Sequence, residues 1–90
     1  MNKARKKDIA KLIEKIQSLQ GDMELLLEEL ENIKGEEEEY LDNIPENLQS
    51  SERYEKAEMA LSNLDDAYSY FEDAKDSMDD IMSYLEEACE

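Results

Sequence analysis

The sequence contains no histidine, one cysteine, one proline and two glycines among its 90 residues. Each scarcity removes a class of chemistry. Without histidine there is no imidazole to move protons near neutral pH or to ligate a transition metal. No nucleophile stands beside a candidate base, and the many carboxylates fall on helix faces that water reaches. Cys89 is alone and next to last, so neither a disulfide framework nor a thiolate cluster is expected. Gly21 and Gly35 stand singly inside helical patterns, which leaves no glycine-rich phosphate loop and no calcium loop. The chain reads as a non-enzyme with no catalytic residue, no cofactor and no specific metal site.

Long apolar runs are missing too. No stretch approaches the ~18 uninterrupted apolar residues of a membrane span. Met1–Lys7 is basic like the start of a signal peptide, but charged residues recur at once and no apolar region follows. A cytoplasmic location is expected.

What the sequence has is acid. Ten Lys and Arg face 26 Asp and Glu, a formal net charge of −16. The imbalance is uneven. Residues 1–20 are net basic through Lys3, Arg5, Lys6, Lys7, Lys11 and Lys15, and nearly all the acid follows them. Such a surface repels nucleic-acid phosphates and anionic membranes and attracts basic protein surfaces. The expected partner is a basic protein or a second copy of the chain.

The apolar residues are periodic, which separates this chain from acidic disordered ones. With Ile9 as position a, residues 9–33 place Ile9, Ile16, Met23 and Leu30 at a, and Leu12, Leu19, Leu26 and Ile33 at d. Ile13 and Leu27 add apolar e positions and widen the stripe beyond a two-stranded seam. Tyr40, Leu41 and Ile44 keep the spacing past Gly35, so a helix over about residues 3–42 is predicted, with a weak spot or kink at the glycine. Pro45 then marks a turn over about 43–50, with Asn47, Ser50 and Ser51 as available caps. A second helix over about 51–88 carries Tyr54, Leu61, Tyr68, Lys75 and Met82 at a, and Ala57, Leu64, Phe71, Met78 and Leu85 at d. Its g row is Ala60, Ala67, Ala74, Ile81 and Ala88, small enough for a neighbouring helix to approach closely.

Matched helix lengths and a short turn imply a single domain over residues 1–90, an all-α, coiled-coil-like antiparallel hairpin. Antiparallel pairing also sets the basic start beside Asp76, Asp79, Asp80, Glu86, Glu87 and Glu90. A lone hairpin cannot cover stripes three rows wide. A homodimer completing a four-helix bundle is therefore expected.

The most specific feature is a ladder of acidic pairs, Asp65-Asp66, Glu72-Asp73, Asp79-Asp80 and Glu86-Glu87, recurring every seventh residue. Seven residues rise about 10.5 Å, so one helix offers about one charge per 5 Å, against one per ~1.7 Å for duplex DNA. A dimer that adds Asp76 and the Glu36–Glu39 run narrows the gap. The ladder is either a decoy for a basic groove or the wet side of a bundle. Tyr70 and Tyr84, at exposed c positions two heptads apart, are candidate interface anchors. Tyr54, Tyr68 and Phe71 are assigned to the core. The partner-binding set is thus Asp65, Asp66, Tyr70, Glu72, Asp73, Asp79, Asp80, Tyr84, Glu86 and Glu87.

The turn and second helix, from Asn43 to Ala88 (NIPENLQSSERYEKAEMALSNLDDAYSYFEDAKDSMDDIMSYLEEA), resemble small helical proteins of phages and prophages of Gram-positive bacteria. The opening MNKARKK is similar to theirs as well. The resemblance implies a counter-defence role inside the bacterial host, such as a DNA-mimicking inhibitor of a host defence or nucleic-acid-handling protein. Two other functions stay open. One is a self-associating assembly scaffold. The other is a helical-hairpin sponge for cyclic-nucleotide signals, whose loosely similar run would be Ala60, Leu61, Leu64, Ala67 and Tyr70, with only Arg53, Lys56 and Lys75 to hold phosphates.

Overall fold

A computed structural model describes all of residues 1–90. The chain is a rod of 69 × 16 × 13 Å built from two long helices. Helix α1 spans Lys3–Asp42 and helix α2 spans Glu52–Ala88, joined by a turn that holds a short 3-10 segment, Glu46–Leu48. No helix is long and apolar enough to cross a membrane.

Local chemistry sets the ends. Asn2 caps α1 by accepting a hydrogen bond from the Arg5 amide at 2.8 Å. Ser51 caps α2 in the same way, its Oγ accepting from the Tyr54 amide at 3.3 Å. Asn43 closes α1, donating its amide to the Glu39 and Leu41 carbonyls. The helix runs unbroken through Gly35, which keeps a negative φ. Four glutamates follow it, then half-buried Leu41 in the last turn and buried Ile44 just past the helix end.

A β-carbon at Gly35 would meet nothing within 4 Å. Gly35→Ala should therefore stabilise the hairpin by about 0.5–1 kcal/mol, because it removes unfolded-state freedom without a clash. A thermal melt followed by circular dichroism should rise by several degrees. An unchanged or lower midpoint would show that the glycine is needed as it stands.

Three polar contacts fix the pairing as antiparallel. Gln20 Nε2 donates to Asp79 Oδ1 at 2.8 Å, Lys34 Nζ meets Asp65 Oδ1 at 2.8 Å, and Lys75 Nζ meets Glu24 Oε1 at 3.4 Å. In all three the residue numbers total 99, so one register holds across the middle of the seam, from Gln20 to Lys34 on α1 and Asp65 to Asp79 on α2.

In α2 the seam is the expected one: the a and d residues are half-buried or buried from Tyr54 to Leu85. In α1 it differs from the simplest heptad reading. The rows turned inward are a and e, namely Ile9, Ile13, Ile16, Gln20, Met23, Leu27, Leu30, Lys34, Glu37 and Leu41. The d row, Leu12, Leu19, Leu26, Ile33 and Tyr40, lies outside the seam and stays 41–52% exposed. Two helices bury only two rows each, and α1 has three apolar ones. The e row goes inward because its polar members, Gln20 and Lys34, find acceptors on α2.

The resulting core is thin. Only Leu27, Ile44, Ala57 and Met82 are buried, so most of the apolar stripe is half-covered by the hairpin itself.

Candidate functional site

The seam divides the rod lengthwise into two sides of opposite character. On one side the e row of α2, with Asp65, Glu72, Asp79 and Glu86, runs beside Glu24 and Glu31 of α1. Glu24, Glu28, Glu31, Glu72 and Asp76 line one shallow depression there, floored by Leu27 and Tyr68. Asp66, Asp73, Asp80 and Glu87 continue the acid onto the outer face of α2. All twelve carboxylates of α2 stand on its b, e and f rows, and its a, c, d and g rows hold none.

The other side carries the α1 d row and, level with it, the small g row of α2. Tyr40 shows the juxtaposition directly. Arg53 Nε donates to the Tyr40 hydroxyl, the guanidinium lies 5.1 Å from the ring centroid, and Tyr40 shares a second depression with Ala57 and Ala60. Beyond the alanines comes the c row, Lys56, Asn63, Tyr70, Ser77 and Tyr84. Tyr70 and Tyr84 are 76% and 73% exposed and border this side, whose acids, Glu37 and Glu52, line the depression at the turn end.

The expected partner-binding residues are therefore all exposed, but they do not form one patch. The eight acids belong to the e and f rows. The two tyrosines belong to the c row, touching the f-row acids on one flank and the alanine row on the other. Tyr54, Tyr68 and Phe71 lie half-buried along the seam.

Two of the acids already have work inside the hairpin. Asp65 holds Lys34, whose ammonium also lies 4.9 Å from the Tyr68 ring centroid, and Asp79 accepts from Gln20. The hydrogen bond that Lys34 donates to the Asp65 carboxylate raises the lysine pKa above its ordinary value. Partial burial pushes the other way, and the charges of Asp65 and Glu31 add to the rise. A lysine pKa raised in the folded chain contributes stability at and below neutral pH, which disappears only as pH climbs above the normal lysine range. Asp66, Glu72, Asp73, Asp80, Glu86 and Glu87 take part in no ion pair within the chain. They are the ladder members free to meet a partner.

The polar layers escape a reading of α1 or α2 alone. Their signal is an interruption in each stripe: Gln20 and Lys34 break the α1 e row, and Lys75 breaks the α2 a row. Only antiparallel alignment brings each interruption level with a partner.

The basic start of α1 forms no ion pair with the acidic end of α2. By the register of the polar contacts, Lys3–Lys7 lie level with positions past Ala88, and Lys11 and Lys15 stand on rows directed away from the seam. On α2, Arg53 and Lys75 are held by Tyr40 and Glu24. Neither family models, nor curated proteins, nor solved structures give a match to this chain.

Proposed function

We propose that the chain is a non-catalytic binding module whose tool is the acidic e and f face of α2, directed at a basic protein surface. The observation that supports this most is the segregation of charge: every α2 carboxylate is confined to three adjacent rows, all ten members of the partner-binding set are exposed, and six of its acids have no partner in the chain. The partner of this reading is a host defence or nucleic-acid-handling protein in the bacterial cytoplasm, blocked where its own substrate's phosphates bind. The chain works as a homodimer, a four-helix bundle that doubles the anionic surface.

Capture from a bacterial host lysate at low and at physiological salt tests this reading. A partner retained at low salt and released at physiological salt is the expected result. A partner held equally well at both would instead favour the assembly-scaffold reading, for which the exposed Leu12–Tyr40 row is the supporting observation.

A further inference from the structure

The homodimer just proposed has a particular geometry, and the following inference rests on that dimer. We infer that a second copy docks on the side of the hairpin that carries the α1 d row and the α2 g row, with the leucine row of each chain seated over the alanine row of the other.

Shape comes first. The α1 d row and the α2 g row lie side by side, and at every level a large residue accompanies a small one, except where Leu19 meets Ile81. Leu26 is level with Ala74, Ile33 with Ala67 and Tyr40 with Ala60. A two-fold axis parallel to the rod sets each leucine ridge into the opposite alanine groove, keeps the helix spacing even, and makes every neighbouring pair of helices antiparallel. An axis across the rod instead stacks ridge on ridge and groove on groove.

Charge separates the same two arrangements. Outside the leucine row of α1 runs a row that includes Lys15, Asp22, Glu29 and Glu36. With the axis along the rod, this row meets the c row of the partner chain. Lys15 then comes level with a tyrosine at position 84, Glu29 with a tyrosine at 70 and Glu36 with an asparagine at 63. These are a cation on an aromatic ring and two carboxylates on hydrogen-bond donors, with no acid opposing acid. With the axis across the rod, the outer α1 rows meet each other, so that Asp22 opposes Glu29 twice, although Lys15 then faces Glu36 twice as well.

Area is sufficient. From Leu12 to Tyr40 the face is roughly 42 Å long. At the 16 Å width of the rod it presents roughly 700 Å² per chain, the size of a standard specific interface. The chain exposes 6888 Å², where a compact monomer of 10.5 kDa exposes roughly 5,400 Å². Docking in this way leaves both acidic faces outward, on opposite sides of the bundle.

Cysteine cross-linking in a Cys89→Ser background tests the arrangement. One chain carries Leu26→Cys, and a second, tagged to differ in mass, carries Ala74→Cys. Under mild oxidation the mixture should give the mixed product, and neither chain alone should exceed background. Efficient cross-linking of the Leu26→Cys chain with itself would overturn the ridge-over-groove geometry. So would absence of the mixed product from chains that sediment as dimers. Independently, Leu26→Asp should raise the dimer dissociation constant by roughly 100-fold or more while circular dichroism shows the hairpin retained. Unchanged dimerisation of that variant, or a wild-type chain monomeric at all concentrations reached, refutes the inference. None of these readouts involves a basic partner, so the acidic-face reading stands or fails separately.

Discussion

Leu27→Asp should leave most of the chain unfolded at 25 °C. Leu27 is one of four buried residues and is only 7% exposed. Losing its burial costs about 2–3 kcal/mol, and cavity formation raises truncation of such a leucine to about 3–5 kcal/mol. The new carboxylate would sit among Glu24, Glu28, Glu31, Glu72 and Asp76, which line the same depression with Lys75 as its one cation. Like charges beside a desolvated acid add to the loss. The total is on the order of the whole stability of a small domain. Leu25→Asp is the control. Leu25 is 62% exposed, two residues earlier in the chain, and its replacement should shift the melt by less than about 1 kcal/mol. Equal effects from the two substitutions would place the seam elsewhere.

Capture of a basic partner should collapse with salt. Successive rungs of the ladder are about 10.5 Å apart along α2. At ~0.01 M ionic strength the Debye length is about 30 Å, so a basic surface senses three rungs together. At ~0.15 M it is about 8 Å, and each rung acts nearly alone. Exposed charge pairs contribute about 0.2–1 kcal/mol each, so losing the cooperation of several rungs lowers affinity at least about tenfold. Titration of a purified, captured partner at the two ionic strengths measures this directly. A flat salt dependence would transfer the interaction to the apolar side.

The sequence makes the α2 seam legible because its a and d rows have no rival. Tyr54 through Leu85 hold nearly all the large apolar residues, the third apolar row at g being alanine except for Ile81, and the acids occupy the opposite rows. In α1 three apolar rows compete. The choice of a and e over a and d turns on Gln20 and Lys34, which look like flaws in a stripe until Asp79 and Asp65 stand opposite them. That match depends on register, and register depends on how the turn from Asn43 to Ser51 is wound. Ile44, 4% exposed, is the buried residue of that turn. Gly35 illustrates a different limit. Glycine permits a left-handed cap, but permission is not a requirement, and the helix continues past it to Asp42 with Gly35 at negative φ.

Exposure of the ladder was readable from its rows. Which rungs are free was not, because Asp65 and Asp79 are engaged by side chains more than thirty residues away. This has a practical consequence for mutagenesis. Neutralising Asp65 leaves Lys34 beside the seam with only the longer contact to Glu31, at 3.9 Å, so lost binding there would mix a folding defect with a surface effect. Asp66, Glu72, Asp73 and Asp80 carry no such complication.

The most direct measurement is therefore the affinity of the chain carrying Asp66→Asn, Glu72→Gln, Asp73→Asn and Asp80→Asn for a captured partner, beside the wild type at low salt. The expected result is a chain with unchanged helicity and melting midpoint that has lost roughly tenfold or more in affinity. Full affinity in that variant would contradict the assignment of the acidic face as the working surface.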